Sequence, residues 1–149
     1  MVVHSDDKLR IALDGDLCVL RWFDSPGPEQ FDTVLATTRR AGERGRLAIL
    51  SVADGAGKVP RFGADELTAG RRMSEGFATV TKAVSHVILM DGFTGVSVRM
   101  FVATLVLLRR SGSPNKVFST LDDGAAWLAP FVTTPGLSKG ILDVYASLR

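Results

Sequence analysis

The segment Gly55-Ala56-Gly57-Lys58 invites comparison with a phosphate-binding loop. In such a loop a Gly is followed by four residues and then by Gly-Lys-Ser/Thr, because backbone N–H groups surround the phosphates and the hydroxyl holds Mg²⁺. Here Val59 stands in place of the hydroxyl residue and the first Gly is misplaced, so the sequence disfavours nucleotide hydrolysis. A weaker anion site stays open, since Lys58 and Arg61 precede a predicted helix whose N-terminus attracts negative charge. The simpler alternative is a solvated loop.

Hydrolase chemistry requires a nucleophile, a general base and an acid that orients the base. The chain has no Gly-x-Ser-x-Gly segment, and its two histidines are His4 near the N-terminus and His86 at the start of a predicted strand. Together with the single Cys18 they do not give the ligand spacing of a zinc site. The neighbouring acids Asp122 and Asp123 are interpreted as part of a helix cap. The sequence therefore predicts no catalytic residue, no metal site and no cofactor, and we expect the protein not to be an enzyme.

Aromatic residues in two loops are stronger candidates for binding. Phe93 is flanked by glycine-containing loop sequence, and exposed aromatic side chains often anchor interfaces. The alternative, equally compatible with the sequence, is that Phe93 folds back and covers the core. The loops after the third and fourth predicted strands should meet at the sheet edge where ligands bind in open α/β folds. We therefore predict a partner- or ligand-binding patch that consists of Lys58, Arg61, Phe62, Phe93 and Thr94.

The bulk composition indicates one folded domain. The protein has 149 residues, 46% of them hydrophobic, which is enough for a hydrophobic core. Its net charge is only +2, from 18 basic and 16 acidic side chains, whereas nucleic-acid binding favours a concentrated basic face. The N-terminal residues lack the pattern of a signal peptide, and every apolar stretch is far shorter than the ~20 residues that span a bilayer. We therefore expect a cytoplasmic protein that binds no nucleic acid and has no membrane span.

The elements that position these residues begin with a β-hairpin. Residues Lys8 to Asp14 alternate between apolar and polar, Asp14-Gly15-Asp16 is typical of a tight turn, and Leu17 to Phe23 is a more apolar second strand. A first helix is predicted after Pro28, which suits the first turn of a helix.

The rest of the chain alternates between helices and strands. Leu47 to Val52 is an uninterrupted apolar run, typical of a strand that is buried on both faces. The predicted elements that follow are a helix over residues 64–83, a strand over 84–90, a helix over 97–110, a strand at 117–118 and a helix from Thr120 that carries Trp127. The order β-β-α-β-α-β-α-β-α predicts an α/β fold with a mixed sheet of about five strands, because right-handed crossovers make neighbouring strands parallel.

Residues 133–149 are predicted to be a linker and an amphipathic tail helix that follow a single domain over residues 1–132. The apolar side of this helix carries Ile141, Leu142, Tyr145 and Leu148. Three uses are open: docking onto its own domain, pairing in a homodimer, or insertion into the groove of another protein. The short apolar stripe favours the first two.

The element order, together with the strand-to-helix segment that ends in Ala125-Ala126-Trp127-Leu128, resembles the STAS family (sulfate transporters and anti-sigma-factor antagonists), especially its SpoIIAA-like bacterial branch. The resemblance covers roughly residues 8 to 130. Phosphorylatable members of the family have an Asp-Ser-Ser/Thr-Gly loop before the helix that follows the third strand. The corresponding loop here, residues 54–63, begins with Asp54 but contains no Ser or Thr. We therefore predict no phosphorylation site.

The resemblance implies a stand-alone regulatory protein of bacteria that acts through protein–protein interaction without a phosphoserine switch. Its partner would be another regulatory protein or a second copy of itself. The alternative is a STAS-like domain that binds a small molecule or an anion at the loop edge. An apolar cavity beneath Phe62 and Phe93 would favour the alternative, and a flat exposed patch of the two rings would favour the interaction protein.

Overall fold

In the part of the chain that the structure describes, six strands form one mixed sheet with helices on both faces. The structure is a computed structural model that describes residues 1–24, 26–55, 62–107, 112–133 and 138–149, without the side chains of Phe93 and Leu107. The strands are β1 (Val2–Ser5), β2 (Leu9–Asp14), β3 (Leu17–Trp22), β4 (Leu47–Ala53), β5 (Thr81–Ile88) and β6 (Asn115–Phe118). The helices are α1 (Pro28–Gly42), α2 (Ala64–Val80), α3 (Gly92–Leu107), α4 (Leu121–Leu128) and α5 (Ser138–Ala146), with a 3-10 helix at Ala129–Phe131. The predicted α/β class is confirmed.

The sheet has one strand more than the predicted five or so, because the N-terminal residues form β1. This strand pairs antiparallel with β2, and Val2 lies opposite Ala12. The connection between the two strands is held by Asp6, whose carboxylate accepts hydrogen bonds from the backbone amides of Lys8 and Leu9 at 2.7 Å. The residues of β1, Val-Val-His-Ser, do not alternate between apolar and polar, which is why the sequence did not indicate this strand.

Several boundaries also differ from those predicted. The strand predicted at 84–90 is β5 (Thr81–Ile88), and the strand predicted at 117–118 begins at Asn115. Helix α2 ends at Val80 rather than at residue 83, since Thr81 already pairs with Leu47 in the sheet. Helix α3 begins at Gly92, so the predicted loop of residues 91–95 is mostly the first turn of that helix. The turn packs tightly: a Cβ atom on Gly95 would lie 2.1 Å from the carbonyl oxygen of Met90.

The strand order explains why three helices share one face of the sheet. The strands lie side by side in chain order, and β3, β4, β5 and β6 are parallel. Each right-handed crossover therefore moves in the same direction and places its helix on the same side. We call this side, covered by α1, α2 and α3, the first face, and Leu20, Ile49 and Val84 lie in its buried cluster. The opposite side, the second face, carries Val19 and Leu50 and needs another cover.

Helices α4 and α5 cover the second face. Helix α4 lies directly on β5, where the hydroxyl of Ser85 donates a hydrogen bond to the carbonyl oxygen of Gly124 at 3.0 Å. The tail residues Ile141 and Leu148 are fully buried in the second-face cluster, and Leu142 and Tyr145 pack against it from a partly buried position. The apolar side of the tail helix thus faces the sheet of its own chain. The predicted linker lies largely outside the described residues, at 134–137.

Polar contacts hold the end of α5 in place. Arg10 and Arg21 each donate a hydrogen bond to the carbonyl oxygen of Leu148, at 3.3 and 3.1 Å. Two cations at the C-terminal end of a helix are favourable because the helix dipole is negative there. Arg21 also pairs with Asp54 at 2.6 Å, and the hydroxyl of Tyr145 donates to the same carboxylate at 3.1 Å. Burial, reinforced by Asp54, raises the pKa of Tyr145 to about 12.

Candidate functional site

A cavity of about 100 Å³ lies between the first face of the sheet and the helices above it. Its position follows from the topology, since Trp22, Ala53 and Ile88 are the last residues of β3, β4 and β5 and all three line it. These parallel strands end at one edge of the sheet, which is the edge where ligands bind in open α/β folds. The cavity therefore occupies the place that the fold favours for a binding site.

Aromatic rings form much of the cavity wall. Phe62 and Phe101 are stacked, with ring centroids 3.9 Å apart and planes inclined by 7°. Phe31 lies between Phe101 and Trp22, with centroid distances of 5.9 and 5.6 Å. Helix α3 directs Phe101 inward together with Val98, three residues earlier, which is the spacing of one helical face. The result is an apolar wall whose rings come from the helix side and continue to Trp22 at the end of β3.

A row of polar side chains crosses the floor of the cavity, which is otherwise mainly apolar. Trp22 of β3 donates its indole N–H to the hydroxyl oxygen of Ser51 in β4 at 3.0 Å. Ser51 lies directly opposite His86 of β5 in the parallel register. The Nε2 atom of His86 is 3.0 Å from Oδ1 of Asn115 in β6. Four neighbouring strands thus contribute one polar side chain each to the same row.

The charge of the lining is low. Among the described lining residues, Asp24 is the one acidic side chain, and none is Lys or Arg. The hydroxyl of Ser74, on the α2 side, already donates to the carbonyl oxygen of Leu105 at 3.3 Å. An anionic ligand would find no described cation within this cavity, so the lining favours a neutral molecule.

Of the predicted patch, the structure places Phe62 in the cavity wall. Thr94 lies half-buried in the first turn of α3 and does not line the cavity. Phe93 belongs to the same turn, but its side chain is outside the described part of the structure. Lys58 and Arg61 also lie outside the described residues.

The sequence prediction missed the polar row. His86 lies in the middle of its strand rather than at its start, because β5 begins at Thr81. Ser51 is the one hydroxyl within the apolar run of β4, and this interruption was the available signal. Trp22 and Asn115 gave no comparable signal, since their roles depend on the register of strands that are far apart in the chain.

The remaining reactive residues lie elsewhere. His4 contacts the carboxylate of Asp6 at 2.9 Å. Burial alone would raise the pKa of Asp6, but this contact and the hydrogen bonds from backbone amides lower it to about 2. Cys18 is buried in the first-face cluster, and burial raises its pKa to about 12.

Within the described ranges, no group of three or more His, Cys, Asp or Glu side chains is arranged to hold a metal ion. The helices seen in those ranges are all too short or too polar to traverse a bilayer.

Comparison of the chain with known proteins does not identify the cavity. No protein-family model, curated protein or solved structure matches the chain. The chemistry of the cavity must therefore be inferred from the residues of this chain.

Proposed function

We propose that the protein binds a small, neutral, mainly apolar molecule in the cavity at the carboxyl ends of β3, β4 and β5. The observation that carries the proposal is the cavity itself, which combines aromatic walls with a short polar row at a favoured ligand position. The small-molecule alternative considered from the sequence required an apolar cavity beneath Phe62 and Phe93. Phe62 is part of the cavity wall, which supports this alternative, and the side chain of Phe93 lies outside the described part of the structure. The binding free energy would come from the removal of apolar surface from water.

The size of the cavity limits the ligand to about one ring system. An engineered cavity of roughly 150 Å³ that is lined by aliphatic and aromatic side chains stays dry and binds benzene. The present cavity, at about 100 Å³, is of the same order and is partly open to solvent. A one- or two-ring molecule that extends toward this opening fits it best.

Blocking the cavity tests the proposal. Val102 lines the cavity from α3, and Val102→Phe would fill it. Val96 of the same helix is 50% exposed, so Val96→Phe is a matched control. The probe is indane, and binding is followed by the fluorescence of Trp22 in proteins that carry Trp127→Phe.

We expect indane to change the emission of the Trp127→Phe protein and of the Val96→Phe control, but not that of Val102→Phe. Indane binding that survives in Val102→Phe would place the ligand elsewhere. The absence of any indane binding to the unblocked protein would reject the proposal.

We propose as a second candidate the function that the STAS resemblance implies: a cytoplasmic regulatory protein of bacteria that binds another regulatory protein or a second copy of itself. Its support is the outer side of α3, where Val96 and Met100 are 50% and 66% exposed. Sedimentation velocity tests the self-binding form. We expect a dimer that Met100→Glu dissociates and that Lys139→Glu, on an exposed part of α5, leaves intact. A wild-type protein that stays monomeric at high concentration would rule out self-association.

A further inference from the structure

The hydroxyl of Ser51 lies on the floor of the cavity and can donate a hydrogen bond there. The indole nitrogen of Trp22 can only donate, so Ser51 Oγ accepts in their 3.0 Å hydrogen bond. A serine hydroxyl that accepts in this way still has its own O–H to donate. No residue in the described part of the chain accepts a hydrogen bond from Ser51. The side chain is only partly buried and lines the cavity, so this donor is available to a bound molecule.

In the neighbouring pair of the row, His86 and Asn115, the proton of the hydrogen bond is already used between the two side chains. The amide nitrogen of Asn115 donates to the carbonyl oxygen of Ser113 at 2.8 Å, which turns Oδ1 toward His86. Since Oδ1 can only accept, His86 has its proton on Nε2 and uses it within the row. Asn115 thereby fixes the imidazole beside Ser51 in one orientation. A ligand atom above Ser51 would meet a hydroxyl donor that is flanked by two fixed rings, those of Trp22 and His86.

We infer that the ligand carries a neutral hydrogen-bond acceptor, such as a carbonyl oxygen, on its ring-sized apolar body, and that Ser51 donates to this atom. This inference rests on the proposed binding function and names the chemical class of its ligand. Ser51 is then the residue that distinguishes the ligand from a pure hydrocarbon of the same shape. A carboxylate is disfavoured because the described lining holds an acid, Asp24, and no Lys or Arg.

The expected preference is modest because a hydrogen bond to the protein replaces one to water. The net gain from a neutral hydrogen bond corresponds to a factor of about two to ten in affinity. Indane and 1-indanone form a suitable pair of probes, since they share the fused ring body and differ by one carbonyl group. Wild-type protein should therefore bind 1-indanone about two to ten times more tightly than indane, as measured by ligand-observed NMR titration.

Removal of the hydroxyl needs one precaution. In Ser51→Ala alone, the indole N–H of Trp22 would lose its acceptor and could donate to the ligand instead. We therefore compare Trp22→Phe, which leaves the hydroxyl in place, with the double variant Trp22→Phe/Ser51→Ala. The preference for 1-indanone should persist in the first and disappear in the second, while both bind indane alike.

The control is Ser85→Ala. Ser85 precedes His86 in the same strand, but its hydroxyl faces the second face and donates to Gly124. Its removal deletes a buried hydroxyl without touching the cavity, so the preference for 1-indanone should equal that of the wild type.

Four results decide whether Ser51 is the donor. A preference that is lost only in the double variant supports Ser51 as the donor. Equal binding of the two probes by the wild type, or a preference that survives in the double variant, overturns this inference but leaves the binding function intact. If neither probe binds the wild type, the proposed binding function fails as well.

Discussion

The burial of Ile141 makes the tail helix a testable part of the folded core. Ile141 is fully buried on the second face, close to Leu128 and Leu148, which are buried to the same extent. Replacing a buried Ile by Ala costs about 2–5 kcal/mol, and the upper part of that range applies where neighbours cannot move in. We expect Ile141→Ala to lose about 3 kcal/mol, near the middle of this range.

The corresponding change in melting temperature follows from the size of the protein. An unfolding entropy of roughly 2.1 cal/mol/K per residue gives about 0.3 kcal/mol/K for a chain of this length. A loss of about 3 kcal/mol should therefore lower Tm by about 10 °C. Urea denaturation followed by tryptophan fluorescence measures the same loss at constant temperature. Trp22 lies on the first face and Trp127 packs against the second, so the Trp127→Phe and Trp22→Phe proteins report on the two faces separately. Coincident transitions in these two proteins would show that the faces unfold together.

Two matched variants control the experiment. Ile141→Val removes one methylene at the same position and should cost about 1 kcal/mol. Lys139→Ala changes a side chain of α5 that is 88% exposed and should cost less than about 0.5 kcal/mol. If Ile141→Ala loses no more than Lys139→Ala, α5 does not belong to the folded core and the packing described for the second face is wrong.

Three further predictions concern other parts of the fold. A Cβ atom on Gly124 would lie 2.3 Å from Cγ2 of Val87, so Gly124→Ala should cost about 1–3 kcal/mol in urea denaturation, and clearly less in a Val87→Ala background. The pKa of Asp6 is lowered from 3.8 to about 2, so its stabilising effect is present above pH ~4 and is lost as the pH falls from 4 to 2. Asp6→Asn should accordingly flatten the dependence of stability on pH in that range, and an unchanged acid limb would contradict the assignment. Cys18 should react with a thiol reagent only as fast as the protein unfolds, whereas prompt labelling of the native protein would show that the first face is open.

The elements with strong periodicity were the ones that sequence analysis could predict. The β2–β3 hairpin and the apolar run of β4 have local signals, an alternating pattern and a turn at Gly15, whose φ of +57° suits a residue without a Cβ atom. The start of α3 was placed five residues too late, because Gly92 and Gly95 are typical of a loop. In the structure Gly95 is needed because the turn packs directly against a backbone carbonyl group.

The candidate site was harder to predict because its members meet through strand register. Ser51 and His86 become neighbours only when β4 and β5 pair in one particular alignment. Their sequences favour strands but contain nothing that fixes this alignment. Phe62 could be identified because it belongs to the loop between β4 and α2, and such loops lie at the sheet edge where ligands bind in open α/β folds. Register, unlike periodicity, is a property of two segments at once and is decided by tertiary packing.

The contacts of α5 also constrain the order in which the protein can fold during its synthesis. Leu148 receives a hydrogen bond from Arg10, 138 positions earlier in the chain, and it packs on a sheet face formed by strands that are made first. While the ribosome is still adding the later residues, the first face can be covered step by step as α1, α2 and α3 emerge. The second face has no such local cover and stays apolar and exposed until α4 and α5 have been made. The nascent chain therefore passes through a half-covered state in which chaperone binding or sheet-to-sheet aggregation competes with completion of the fold.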